Sequence, residues 1–132
     1  MNKLRVGVVG FSSGEFDKEI AIDLIHQVFD VIKKSIYGDS IEIVSGLTNM
    51  GIPGLAYEAA VRHGFATTGI ACSRAENYDC FPCDTTIIVG DDWGDESETF
   101  LENIDVLYKF GGGPQSLKEF NAFKHGKVAF NL

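Results

Sequence analysis

A run of three glycines carries the residues of this sequence that are best suited to bind a ligand. The apolar run 104–109 before it predicts a buried strand, and the apolar spacing after it predicts a helix. Glycines let a backbone approach a ligand closely, and the first N–H groups of a helix have no internal partner and attract anions. We therefore predict a phosphate site, with Glu119 one helical turn further on, within reach of a sugar. The candidate ligand-binding residues of this stretch are Gly111, Gly112, Gly113, Gln115 and Ser116. The alternative is that the glycines only form a tight turn.

Small and polar residues also follow the other predicted strands. In an open α/β sheet, ligands bind at the edge where the carboxyl ends of the parallel strands lie. The candidate ligand-binding residues of these segments are Gly10, Ser12 and Ser13, then Gly46 and Asn49, then Arg74, and finally Asp91 and Trp93. The serines are suited either to binding a phosphate or to capping the next helix. Arg74 is suited to binding a phosphate, and the alternative is an exposed loop arginine. Asp91 can accept hydrogen bonds from ribose, and the indole of Trp93 can stack on a base.

An acidic run follows the fourth predicted strand. Asp95, with Glu98 three residues later, predicts a helix N-cap with a capping-box partner, and Glu96 complements the helix dipole. A divalent cation held by Asp91, Asp92 and Asp95 is the less favoured alternative. We expect no metal here.

The cysteine pair Cys80 and Cys83 has the spacing of a zinc or redox motif. Structural zinc needs four ligands, and only Cys72 and distant histidines remain to complete the set. We predict that the pair binds no metal. Three cysteines without a disulfide framework favour a reducing, cytoplasmic location.

The segment Gly112 to Glu119 resembles the Gly-Gly-x-Gly-Thr-x-x-Glu motif of the LOG family, once described as lysine decarboxylase-like. The same motif occurs in the wider SLOG superfamily of Rossmann-like nucleotide binders. Both leading glycines and the glutamate match, while Ser116 replaces the threonine and Gln115 replaces the third glycine. The resemblance implies a Rossmann-like domain in which strands one and four are adjacent. The pocket would then form where the Gly10 and Asp91 loops part.

The resemblance also implies a chemistry. LOG enzymes are phosphoribohydrolases with a catalytic arginine in the helix after the fourth strand, opposite the glutamate of the motif. No arginine occurs between Ala75 and Leu132, and the corresponding region is acidic around Glu96. Glu119 would therefore be catalytic only if the protein is an enzyme, and we expect little turnover.

Predicted strands and helices alternate along the chain. The strands are predicted at 4–9, 41–46, 65–71, 85–90, 104–109 and 127–132, and the helices at 15–37, from Pro53 to 64, from Asp95 and after Gly113. This alternation predicts an α/β fold with a mostly parallel sheet and helices on both faces. With the resemblance, we expect a single three-layer, Rossmann-like domain over residues 1–132.

Composition limits the classes of function. Of the 132 residues, 45% are hydrophobic, which is typical of a globular domain, and the net charge of −8 disfavours a nucleic-acid surface. No apolar run reaches the ~18 residues of a membrane span. We expect no cofactor and a small-molecule ligand, either a nucleoside phosphate or an ADP-ribose-like nucleotide. The protein would act as a sensor, carrier or sequestering protein. The alternatives are an N-glycosidase acting on a nucleoside monophosphate and a non-enzymatic assembly module. The resemblance implies a homodimer or higher homo-oligomer.

Overall fold

A computed structural model describes residues 3–12, 15–35 and 40–132. Over these ranges the strands are β1 (Leu4–Gly10), β2 (Ile41–Ser45), β3 (Ala66–Ala71), β4 (Thr85–Ile88), β5 (Val106–Phe110) and β6 (Lys127–Phe130). The α-helices are α1 (Lys18–Lys33), α2 (Gly51–His63), α3 (Ser97–Glu102) and α4 (Pro114–Ala122), and a 3₁₀ helix spans Ser73–Asn77. The strands and helices predicted from the sequence are all present in order. None of the described helices is long and apolar enough to cross a membrane.

The six strands form one parallel sheet in the order β4-β3-β2-β1-β5-β6. The expected adjacency of strands one and four is therefore wrong, because β1 pairs with β5 and β4 lies at the sheet edge beside β3. A short connection through the 3₁₀ helix carries the chain from β3 to its neighbour β4. The long crossover instead follows β4 and returns the chain past β3, β2 and β1 to β5 through α3. The order of strands reverses between β1 and β5, and open α/β sheets commonly bind ligands at such a position.

Alternate residues along the central strands face the two helical layers. On one side, Val8 and Ile43 pack with α1 and α2, and on the other side Val9 and Val44 pack with Phe100 of α3. All five side chains are buried. Each strand therefore buries both faces, as expected of a three-layer α/β domain.

The start of α1 differs from the prediction, whereas the end of α2 agrees with it. α1 begins at Lys18 rather than Glu15, because the Asp17 side chain accepts a hydrogen bond from the Ile20 N–H at 3.1 Å and caps the helix there. Residues 36 and 37, the predicted end of this helix, lie outside the described residues. α2 ends as predicted, with Gly64 in the left-handed conformation.

Candidate functional site

The glycine-rich loop lies beside the end of β1, as predicted. Gly10 and Phe110 are paired in the register of β1 and β5, so the loops that follow them leave the sheet side by side. Gly111 and Gly112 have φ values of 64° and 117°, which only glycine adopts readily. A Cβ atom added to Gly112 would lie 3.2 Å from the Gly10 Cα atom. The two loops are therefore in direct contact.

The start of α4 is open to a ligand. Its N-cap is Gly113, no side chain caps it, and Pro114 occupies its first turn. The Ser116 hydroxyl donates a hydrogen bond to the Gly10 carbonyl oxygen at 3.2 Å, which joins α4 to β1. A Cβ atom added to Gly113 would meet no heavy atom within 4 Å. The first turn of α4 therefore combines uncapped N–H groups with free space, the combination that suits an anion.

Three adjoining cavities reach this edge of the sheet, and one of them also extends to Arg5 and Asp105 near the opposite edge. A central cavity of about 140 Å³ lies over the ends of β1, β2 and β3. An outer cavity of about 320 Å³ lies between Tyr78, Met50 and Thr48, and a groove of about 940 Å³ runs between α3 and α4. Trp93 and Gln115 line all three.

The central cavity is lined by six of the predicted ligand-binding residues and by Glu119; the six are Gly10, Ser12, Gly46, Trp93, Gln115 and Ser116. The walls of the three cavities do not include Gly111, Gly112 or Gly113, which instead shape the loop and the start of α4. Asn49 lines a separate cavity of about 440 Å³ beside α2, which it shares with Ser12. Ser13 lies outside the described residues.

Two buried carboxylates face each other across Gln115. Glu96 and Glu119 are 6% and 7% exposed, and both line the central cavity. The Gln115 Nε2 atom donates to Glu96 Oε2 at 3.2 Å and to Glu119 Oε2 at 3.4 Å. Glu119 Oε2 also accepts from the Ser97 hydroxyl at 2.7 Å, and Glu96 Oε1 accepts from the Gly94 N–H at 2.9 Å. The arrangement places two buried acceptors for hydrogen bonds in the cavity wall.

Burial raises the pKa of the Glu119 carboxyl above its ordinary value. Hydrogen bonds from Ser97 and Gln115 lower this pKa, while the negative charge of Glu96 raises it further. The net direction is upward because loss of water disfavours the charged form.

This pKa makes stability depend on pH through Glu119. Between pH 4.5 and the raised value, the folded protein holds a proton that the unfolded chain has lost, so the free energy of unfolding falls as pH rises. We expect Glu119→Gln to remove this dependence, so the variant should gain stability relative to the wild type as pH rises above 4.5. Urea unfolding of both proteins at several pH values measures the difference. A difference that stays constant with pH would contradict this prediction.

Asp95, in the acidic turn before α3, does not cap this helix as predicted. The Asp95 carboxylate accepts from the N–H groups of Asp91 and Asp92 at 3.1 and 3.0 Å, so it closes the preceding turn instead. α3 begins two residues later, at Ser97, and no side chain caps it. The turn is tight because Gly90 adopts a φ of 76° and lies against Asp95.

Arg74 and Asp91 lie to one side of the cavities. The Arg74 Nη2 atom forms an ion pair with Asp92 Oδ1 at 2.8 Å, and its Nε atom donates to the Asp91 carbonyl oxygen at 3.1 Å. Both members of the ion pair are more than half exposed. Neither Arg74 nor Asp91 is among the residues that line the three cavities.

Sequence reasoning missed Glu96, Thr48, Tyr78 and Ser97 as site residues. A run of acidic residues before a helix normally indicates a solvated surface. The sequence around Glu96 therefore gave no indication that this side chain is buried. Tyr78 lies 6.0 Å from Trp93 between ring centroids, and this contact joins segments 15 residues apart. The acidic character of the region where LOG enzymes carry an arginine was the only pointer to Glu96.

The three cysteines are free thiols, and Cys72 is buried. Burial raises the pKa of the Cys80 and Cys83 thiols, which reduces the fraction of thiolate available to a metal. Among the described residues, no group of three or more His, Cys, Asp and Glu side chains is placed to hold a metal ion. We expect elemental analysis of untagged protein to find no stoichiometric zinc. About one zinc ion per chain would contradict the prediction.

The fold resembles that of known small-molecule-binding proteins. Two structures of the molybdenum cofactor carrier protein from Chlamydomonas reinhardtii match with TM-scores of 0.76 and 0.77 at 19% and 18% identity. They cover 97% and 100% of this chain, and 76% and 79% of the carrier protein. The molybdenum cofactor binding protein from the phototrophic bacterium Rippkaea orientalis matches with a TM-score of 0.75 at 21% identity, covering 99% of this chain and 78% of that one.

The similarity extends to the architecture only. No protein-family model matches the sequence, and no curated protein matches it significantly. At 18–21% identity, the structural matches establish the Rossmann-like fold of this chain.

Proposed function

We propose that this protein binds a nucleoside phosphate or a related nucleotide at the β1–β5 edge, as a carrier, sensor or sequestering protein. The observation that carries the proposal is that three features lie beside the adjoining central and outer cavities. These are the uncapped start of α4, the carboxylate pair on either side of Gln115, and the aromatic side chains of Tyr78 and Trp93. They match the phosphate, sugar and base of a nucleotide in that order.

The parts of the ligand are assigned by chemistry. The phosphate lies at the first turn of α4, near Gly113, where free N–H groups favour an anion. The sugar lies next to Glu119, which is one turn further along the same helix and lines the central cavity. The base extends toward the outer cavity, where Trp93 is 49% exposed and available for stacking.

The molybdenum cofactor is a second candidate ligand. The structural neighbours are named for carrying or binding it, and it is a pterin that bears a phosphate. A phosphate site and an aromatic cavity would serve either ligand. The two candidates share the carrier role and differ in the heterocycle and in the ribose.

The enzyme alternative is an N-glycosidase in which Glu119 would act on the ribose. The feature that favours it is a buried carboxyl with a raised pKa in a cleft. Glu119→Gln separates the two functions. In a binding protein the substitution weakens affinity by a modest factor, whereas in an enzyme turnover collapses while binding survives.

The test of the proposal is mass spectrometry of small molecules released from purified, denatured protein. We expect a co-purified nucleotide or pterin phosphate, and a thermal shift when nucleoside monophosphates are added to stripped protein. A stripped protein that shows no shift with any nucleotide would contradict nucleotide binding and favour an assembly module.

We further propose a cytoplasmic homo-oligomer. Three free thiols suit a reducing compartment, and the resemblance to LOG proteins favours assembly through helix faces. Light scattering coupled to size-exclusion chromatography measures the oligomeric state. A mass of 14.4 kDa would indicate a monomer and contradict this proposal.

A further inference from the structure

The Gln115 side chain marks a place where a ligand's hydrogen-bond donors fit. Its amide nitrogen carries two hydrogens, and these point at one oxygen of Glu96 and one oxygen of Glu119. Both glutamates are more than nine-tenths buried, whereas Gln115 is exposed and lies in the first turn of α4. The carboxylates are therefore held in place, while the amide that joins them is free to turn toward solvent.

Glu119 retains an open acceptor in this arrangement. The hydrogen bonds from Ser97 and Gln115 both go to Oε2, and no described residue donates to Oε1. Among the described residues, every fully enclosed side-chain oxygen has a hydrogen-bond partner. Oε1 has no donor, so it is not fully enclosed, and Glu119 lines the central cavity. A buried carboxylate with one oxygen directed into a cavity has capacity for a donor that the protein does not supply.

The negative charges of Glu96 and Glu119 repel each other, in a chain whose net charge is already −8. Burying both charges lowers stability unless hydrogen-bond donors satisfy them. Here the Gln115 amide supplies a donor to each of the two carboxylates. The three residues Glu96, Gln115 and Glu119 therefore behave as one unit.

We propose that Glu96 and Glu119 form a single site that accepts hydrogen bonds from the two vicinal hydroxyls of the ligand's ribose, and that the Gln115 amide occupies this site until the ligand displaces it. The inference rests on the proposed nucleotide-binding function. A cis-diol offers two O–H donors on neighbouring carbons. These donors match the two carboxylates that accept from the Gln115 amide in the structure. The site therefore selects a ribonucleotide over its 2′-deoxy counterpart.

The experiment compares the affinities of adenosine and guanosine monophosphate with those of their 2′-deoxy forms by isothermal titration calorimetry. The wild-type protein should bind the ribose forms at least about tenfold more tightly, because a hydrogen bond to a charged acceptor is lost in the deoxy forms. Glu96→Gln should remove most of this preference. Glu102→Gln, a matched change at the other end of α3, should retain it.

Gln115→Ala tests the displacement and keeps the proposal testable if Glu96→Gln fails to fold. The substitution should cost some stability, because both carboxylates lose a donor, but removing the competing amide should tighten ribonucleotide binding by roughly threefold to tenfold while the preference over the deoxy forms persists. Weaker ribonucleotide binding in this variant would contradict the displacement. Equal binding of ribose and deoxy forms by the wild type, or an unchanged preference in Glu96→Gln, would overturn the two-carboxylate site. Absence of binding by every nucleotide would instead overturn the proposed function.

Discussion

Replacing Gly112 with alanine should both destabilise the protein and weaken binding of a phosphate ligand. Gly112 has a φ of 117°, and a Cβ atom there would lie 2.8 Å from the Ser116 Cβ and 3.2 Å from the Gly10 Cα. A side chain at such a φ costs about 1–3 kcal/mol, and the close contacts force the two loops apart. The start of α4 would move with its N–H groups, so affinity should fall about tenfold or more, which corresponds to about 1.4 kcal/mol.

Gly113→Ala is the matched control for stability. Its φ of −97° is accessible to alanine, and its Cβ atom would meet no heavy atom within 4 Å. We expect its free energy of unfolding to stay within about 0.5 kcal/mol of the wild type. Urea unfolding and titration with nucleoside monophosphates measure both effects. Equal stability of the two variants would show that the loop does not require glycine at position 112.

The second large effect expected is the near absence of phosphoribohydrolase activity on adenosine monophosphate. Cleavage of the glycosidic bond requires the site to hold an anionic phosphate while positive charge develops on the ribose. The chain has the carboxylate Glu119, but the buried Glu96 lies in the region where the LOG enzymes that the sequence resembles carry an arginine. Loss of one group that stabilises charge in a transition state costs about 10²–10³ in rate.

Arg74, a candidate phosphate-binding residue from the sequence, is the basic side chain to test as a substitute for the arginine of LOG enzymes. In the structure it is paired with Asp92 and lies away from the residues that line the cavities. Chromatography of adenine released from adenosine monophosphate measures the activity. Turnover of about 1–10³ per second would contradict the prediction. Arg74→Ala would then show whether this guanidinium supplies the missing charge, since its removal would abolish the activity.

The sequence by itself determined the fold class and the position of the glycine loop. The pattern of apolar runs and Gly-rich turns specifies alternating strands and helices, because local periodicity reflects burial. Parallel strands end at the same edge, so the Gly10 and Gly112 loops had to lie on the same side of the sheet. Six cavity-lining residues followed from this one argument.

Only the tertiary structure decided which strands are neighbours and which side chains meet. β1 pairs with β5 across about 100 residues of sequence, and no local pattern encodes such a pairing. In the folded chain Glu96 lines the central cavity, whereas Arg74 and Asp91 do not. Gln115 joins Glu96 to Glu119 because α3 and α4 pack on the same face of the sheet. Contacts of this kind depend on the three-dimensional arrangement of whole elements, whereas sequence periodicity reports only the burial of each element separately.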